Sequence, residues 1–382
     1  MMRGERLKMC GVCYYREDNG LESIRQEGLQ DWDIDELLSH LQPDGSVDVP
    51  PEFFEHKTIH CNLQCQTCSP VLSSTWANLE KQMFNFKWAS NMDDEYEQAQ
   101  TDSIINAVLE KRAKKINWAG GEPMMSPIHW KVMDKLVELL DDPEYVEYVK
   151  NIRIQYNTNV TKGIWKNKSI PEMLKPFNIE LRTSMDGVGD AFEFNRDGAK
   201  WDECWKTWNE YYDLGFEMEV NAVYTSTVIM QMEEYQRIYV DKDVRFYDHI
   251  YFCYPDQYPG AGQGFMDVRL FPQHIFDRIV GNAEDVLQKY MNEGYERGLD
   301  ILRIYRDEKK KYAHLFENED TLRKMKGYTE YRDNFCKNVK YLDLIWSLDE
   351  EAAEWVDKIQ SLPYDPNENK QSGWNAEDWK DR

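Results

Sequence analysis

The residues best equipped for chemistry stand in one short run, His60-Cys61-Asn62-Leu63-Gln64-Cys65-Gln66-Thr67-Cys68, which places three thiols within eight positions. Three thiolates can hold three irons of a cubane and leave the fourth iron open to a ligand. That open position separates electron transfer from catalysis, because an iron with a free site can bind the amino and carboxylate groups of a small molecule and pass an electron into it. The same thiols with His60 or His56 could instead close a tetrahedral zinc site, which would staple the loop and catalyse nothing. A second run of interest is the turn Gly120-Gly121-Glu122-Pro123. Glycines admit a backbone path near a ligand that a Cβ would obstruct, and the backbone carbonyls together with Glu122 can accept hydrogen bonds from an ammonium group. Cys10 and Cys13 form a further pair, whereas Cys204, Cys253 and Cys336 stand apart. Eight cysteines in 382 residues are too few for a disulfide scaffold, so the clustered ones read as metal or redox ligands.

The elements that must position these residues follow from the hydrophobic period. Alternating or short apolar runs over residues 57–60, 115–118, 152–156, 179–183, 216–224 and 249–254 predict six strands. Helical spacing lies between them, as in Ile104, Ile105, Val108 and Leu109, or in Trp130, Met133, Val137 and Leu140 after a Ser126 cap and Pro127. Trp201, Trp205, Trp208 and Tyr212 also recur at helical spacing, the pattern of a core stripe rather than an aromatic site. Parallel neighbours require crossover connections, so this order predicts an α/β fold, a partial barrel with a parallel sheet. Both the cysteines and the Gly-Gly-Glu-Pro turn fall at carboxyl ends of strands, where such sheets carry their chemistry. The expected domain plan is an N-terminal extension over residues 1–50, closed by Pro43-Asp44-Gly45-Ser46 and Pro50-Pro51, then the barrel over 51–270. A helical region over 271–365 and a disordered tail over 366–382 complete it.

Composition narrows the partners. With 46 basic and 70 acidic residues, the formal charge of -24 repels phosphate backbones and anionic lipid, so neither nucleic acid nor a membrane is an expected partner. The charged opening MMRGERLKMCGVCYY lacks the apolar stretch of a secretory signal, and the expected compartment is the cytoplasm.

Cys61-x3-Cys65-x2-Cys68 after one strand, followed by Gly120-Gly121-Glu122-Pro123 at the end of the next, resembles the paired signature of the radical SAM superfamily over about residues 55–255. The resemblance implies a partial (β/α)6 barrel and a [4Fe-4S] cluster held by Cys61, Cys65 and Cys68, with S-adenosylmethionine chelated to the open iron. It implies that Gly120, Gly121 and Glu122 hold the methionine ammonium. Asn157, Asn159, Ser184 and Asp186 at strand ends, with Asn221, would serve the ribose and carboxylate, and Arg196 could pair with the carboxylate through its planar fork. Many members carry an aromatic residue before the third cysteine, where this chain has Thr67, so adenine contacts must come from elsewhere, such as Ile59.

The segment Arg3-Gly4-Glu5-Arg6, Cys10-x2-Cys13, Glu17, Gly20 and Ser23-Ile24-Arg25 resembles the end of the twitch domain that precedes the barrel in one group of the superfamily, without that domain's earlier cysteines. An auxiliary metal site on Cys10 and Cys13 would need two more ligands, for example from Cys204, Cys253 or Cys336. The implied partners are an external one-electron reductant such as flavodoxin or ferredoxin and, because twitch-containing relatives often modify peptides or proteins, a peptide or protein substrate. A nucleotide or cofactor precursor as substrate would use the same core. The rival of a different class is a noncatalytic binding module stabilised by zinc or by a fully liganded cluster.

Overall fold

A computed structural model of the chain describes residues 6, 11–18, 20–23, 25–26, 34–43, 46, 52–68, 70, 72–84, 94–250, 266–290, 296–316, 318–334 and 337–362. The chain divides into two compact units, Met1–Pro51 and Glu52–Arg382. In the first, helices Gly11–Asp18 and Ile34–Ser39 are described. Glu17 gathers the Ser23 hydroxyl at 2.5 Å and the Arg25 guanidinium at 2.7 Å, and Leu21 and Ser23 are buried beside it. The expected tail over 366–382 lies outside the described residues.

The second unit is built on six parallel strands: β1 Phe53–Thr58, β2 Lys115–Gly120, β3 Arg153–Thr158, β4 Asn178–Ser184, β5 Glu217–Asn221 and β6 Arg245–Phe246. Their order in the sheet is their order in the chain. Such a sheet is wound in one direction only. Because parallel crossovers share one hand, the helices of successive connections fall on the same face and the sheet curls around the other. Among the described residues no ladder joins β6 back to β1, so the barrel is partial. Beyond it the chain is helical, from Gln273–Lys289 through Glu350–Gln360. This is the expected α/β class with a helical C-terminal region.

Strand boundaries differ from expectation most at three places, one being the fifth strand, which ends at Asn221 rather than 224. The first strand starts and ends earlier, which leaves His60 in the loop rather than the ladder. The sixth lies at Arg245–Phe246, upstream of 249–254, while His249–Ile250 pairs with Val223–Tyr224 in a separate short parallel ladder. The two ladders follow one another along the same path, since the Tyr247 amide donates to Val220 O at 2.7 Å and the His249 amide to Ala222 O at 2.8 Å. Residues 251–254 lie outside the described residues.

Strand alternation gives the sheet two unlike faces. Ile116, Trp118, Ile154, Tyr156, Ile179, Leu181, Met218 and Val220 are buried on one. Helix Pro127–Leu139 covers it with His129, set edge-on to Trp118 and Tyr156, and helix Trp201–Asp213 with Trp208, whose Nε1 donates to Thr183 at 3.0 Å. The stripe Trp201, Trp205, Trp208 and Tyr212 stacks ring on ring along that helix. The intervening residues turn to the opposite face, where Gln155 donates to Glu180 at 2.7 Å, Asn157 to Asn117 at 3.4 Å and Arg182 to Glu219 at 2.6 Å. Parallel strands are usually apolar on both faces. On this second face Gln155, Glu180 and Glu219 are buried, and their polar groups are paired across neighbouring strands.

Candidate metal centre

The cysteine loop leaves β1 and is tied on two sides. On one, the start of helix Ser74–Phe84 supplies a row of donors and acceptors. Ser73 Oγ donates to Leu63 O at 3.0 Å, Thr75 Oγ1 to Cys61 O at 2.6 Å and Trp76 Nε1 to Cys65 O at 3.0 Å, while Ser74 Oγ accepts the Cys61 amide at 3.1 Å. On the other, the loop pairs with the segment after helix Gly189–Asn195: the Gln64 amide donates to Asp197 O and the Gln66 amide to Asn195 O, each at 2.9 Å. Irregular backbone buried this deeply has to satisfy its polar groups locally, and these contacts do so.

The Gly-Gly-Glu turn packs directly on that loop. The Gly121 amide donates to Thr58 O at 2.6 Å and the Glu122 amide to His60 O at 2.7 Å. Gly120 has a φ of +96°, and a Cβ there would sit 2.2 Å from Thr58 O; one on Gly121 would meet His60 O at 2.3 Å and the Cys61 Cβ at 3.1 Å. Both glycines are therefore required for close approach of the two backbones, not only for approach to a ligand.

Glu122 is fully buried, and its carboxylate accepts from the Met124 amide at 3.1 Å, from the Thr158 hydroxyl at 3.0 Å and from the Asn159 amide at 2.7 Å. Burial pushes this carboxyl up to about 7 against those hydrogen bonds. The side chain anticipated as an acceptor for a ligand ammonium is thus already engaged in joining β2 to β3. Asn159 carries the connection on to the cysteines, with Nδ2 3.3 Å from Asn62 Oδ1 and 4.0 Å from Cys61 Sγ. The next residue, Val160, is buried at a φ of +50°, a left-handed conformation costly for a β-branched side chain.

Arg196 reaches Cys65, its Nη1 3.6 Å from Sγ, and is held by an ion pair of 2.6 Å between its Nε and Asp186 Oδ2. Asp186 is fully buried, and its other oxygen accepts the Val223 amide at 2.7 Å. Asn157, Ser184 and Asn221 stand on the polar face, Ser184 directly opposite Asn221 and Asn157 opposite Arg182. The structure thus brings Cys61, Glu122 and Asn159 together, and Cys65 with Asp186 and Arg196. Cys13 belongs to the other unit, where it is free and half-buried, and Cys10, Cys253 and Cys336 lie outside the described residues. Cys204 is a buried core residue of helix Trp201–Asp213.

Several contributors carried no isolated sequence signal. Thr158, Asn195 and Asp197 act through hydrogen bonds to distant loops, and Trp76 through its indole N–H. Asp197 also accepts the Lys337 and Asn338 amides at 2.8 and 3.2 Å, which latches the C-terminal helical region to the segment under the cysteines.

Chemically, Cys61, Cys65 and Cys68 form no disulfide; the first two are buried, and burial raises Cys61 to about 11 and Cys65 to about 12. Bound iron reverses that balance, because a coordinated thiol is deprotonated outright. Among the described residues no three His, Cys, Asp or Glu converge on a single ion. One tetrahedral zinc would draw its ligands together at about 2.3 Å each, whereas a cubane spreads its thiolates over three irons. Neither histidine is poised to join a zinc site: His56 is buried edge-on to Trp118 on the helix-covered face, and His60 lies 3.8 Å from Glu97.

No family model matches the chain, and neither does any curated protein. Among solved structures it is similar to native anSMEcpe with bound AdoMet, at a TM-score of 0.44 and 18% identity over 64% of this chain and 62% of that one. It is also similar to Streptococcus suis SuiB bound to precursor peptide SuiA, at 0.40 and 16% over 72% and 60%. A third is the radical S-adenosylmethionine methyltransferase TsrM from Kitasatospora setae with cobalamin and [4Fe-4S] cluster bound, at 0.35 and 11% over 51% and 36%. The chain therefore spans less than two thirds of the length of each.

Proposed function

We propose that the chain is a radical SAM enzyme that holds a [4Fe-4S] cluster on Cys61, Cys65 and Cys68. The observation that supports this most directly is the seating of Gly121 on His60 and Cys61, so close that no Cβ fits between them. Two motifs about sixty residues apart in the chain make one surface at the carboxyl end of the sheet, where single-direction α/β folds do their chemistry. When bound, the cluster supplies an electron, received from an external reductant such as flavodoxin or ferredoxin, that cleaves S-adenosylmethionine to methionine and a 5′-deoxyadenosyl radical.

The chain's own residues have narrower tasks. The loop contacts from Ser74, Thr75 and Trp76 orient the thiols. Gly120 and Gly121 bring the second strand end against them, and Glu122 fixes the third through Thr158 and Asn159. Asn157, Ser184 and Asn221 line the polar face beside this end and are suited to ribose and carboxylate groups. The paired charges of that face, Arg182 with Glu219 and Arg153 with Glu180, suit a polar substrate such as a peptide or protein segment. The N-terminal unit is assigned to a twitch-like extension, and the protein to the cytoplasm.

Anaerobic reconstitution tests the reading. Near four irons and four sulfides per chain are expected, with the visible absorbance abolished in each single Cys61→Ala, Cys65→Ala and Cys68→Ala variant. One zinc per chain, or full iron retention in all three variants, would overturn it.

A further inference from the structure

We propose that Arg196 and Asp186 form a charge pair that sets the reduction potential of the cluster through Cys65, in place of a direct contact between Arg196 and the methionine carboxylate. This rests on the cluster assignment above. The guanidinium is placed by the fold: its Nε is 2.6 Å from Asp186 Oδ2, and Nη1 lies 3.6 Å from Cys65 Sγ. Asp186 is itself immobilised, with no exposure, by the Val223 amide on one oxygen, while Asn195 Nδ2 holds its main-chain carbonyl at 3.0 Å. The same helix end presents Asn195 O to the Gln66 amide, so one short segment grips the loop on both sides of Cys65.

An arginine held this way has one guanidinium nitrogen directed at a ligand sulfur and another at Asp186. Arginine keeps its proton at any accessible pH. Hydrogen bonds to ligand sulfurs and nearby net charge are the protein's principal means of setting cluster potential. Each reduction adds one negative charge to the cluster. A cation 3.6 Å from a ligand sulfur stabilises the reduced form, and the carboxylate behind it tempers that effect. The two residues therefore act with opposite sign on one quantity, which a merely structural pair would not do.

The experiment is a redox titration of the anaerobically reconstituted protein without S-adenosylmethionine, followed by the paramagnetic signal of the reduced cluster, with iron content measured on each sample. Arg196→Gln is expected to shift the midpoint to more negative potential, Asp186→Asn to more positive potential, and Arg196→Lys to stay closer to wild type than Arg196→Gln. Should Arg196→Gln fail to hold iron, Asp186→Asn still decides by the sign of its shift. Midpoints unchanged from wild type, or shifts of one sign in both charge-removing variants, with iron intact, would overturn the inference alone. A wild-type chain that takes up no four-iron centre would overturn the parent reading with it.

Discussion

The Asn159 amide donates to Glu122 Oε2 at 2.7 Å, and through this bond the turn after the second strand is fastened to the end of the third. The same carboxylate accepts from Met124 and Thr158. Its protonation state matters because it is fully buried.

Glu122→Ala should therefore cost about 1–3 kcal/mol, the usual penalty for leaving buried donors unpaired. The pH dependence has a definite sign. With the folded value near 7 and the ordinary value 4.5, the native state keeps a proton that the unfolded chain releases, so this group's contribution falls as pH rises from 4.5 through 7. A Glu122→Gln variant, permanently neutral, should consequently lose more stability relative to wild type at pH 5 than at pH 8. Urea unfolding at the two pH values measures this; an equal difference at both would show that Glu122 is ionised throughout.

Gly121→Ala should displace the cysteine loop, since the new methyl would lie 2.3 Å from His60 O, a backbone atom that cannot yield cheaply. Iron uptake should drop severalfold. Gly281→Ala is the matched control, because a Cβ there meets only Arg306 Nη2 at 3.7 Å in the middle of helix Gln273–Lys289, where alanine is favoured over glycine by up to about 1 kcal/mol. Comparable iron in both variants would refute the packing argument.

His129 gives a second pH effect, of opposite sign. It is fully buried against Trp118, Trp130 and Tyr156, with Nε2 2.9 Å from the Tyr156 hydroxyl, and burial lowers its pKa to about 3 from 6.5. Below 6.5 the unfolded chain takes up a proton that the native state refuses, so stability falls on acidification by about 1.4 kcal/mol per pH unit from this group. Urea midpoints between pH 7 and pH 5 should decline less steeply in His129→Asn. Parallel slopes for the two proteins would rule the residue out as a source of acid sensitivity.

Much of this arrangement was legible in the sequence, for a physical reason. The strands β2 to β5 carry their large apolar side chains on one face, so residues such as Ile154 and Tyr156 alternate with the polar Gln155 and Asn157 and declare both the element and its helix-covered side. The cysteine loop and the Gly-Gly-Glu turn were recognisable because their chemistry is local. The sixth strand was misplaced because Arg245–Phe246 is two residues long and half exposed, whereas the more apolar stretch from Ile250 attracted the assignment. Contacts between distant segments were not legible at all. Nothing in the sequence marked that Arg196, just after the helix Gly189–Asn195, pairs with Asp186, or that Glu122 accepts from the end of β3.

Asp197 illustrates the same point for the C-terminal region. Its carboxylate holds the Lys337 and Asn338 amides while its main-chain carbonyl, which alanine keeps, holds Gln64, so Asp197→Ala should release the C-terminal region and leave the Gln64 bond in place. Amide exchange at Lys337 and Asn338 should speed by about tenfold or more, as expected when roughly 1–3 kcal/mol of hydrogen bonding is removed. Unchanged protection at those two amides would mean that the C-terminal region is held elsewhere.

The most direct test of the central claim is turnover of S-adenosylmethionine by the reconstituted protein under strong reductant, without any added substrate. Wild type should yield 5′-deoxyadenosine and methionine in equal amounts, and the paramagnetic spectrum of its reduced cluster should change when S-adenosylmethionine is added. Cys61→Ala, Cys65→Ala and Cys68→Ala should give neither product. A wild-type chain that carries four irons yet forms no 5′-deoxyadenosine, with a spectrum indifferent to saturating S-adenosylmethionine, would contradict the account.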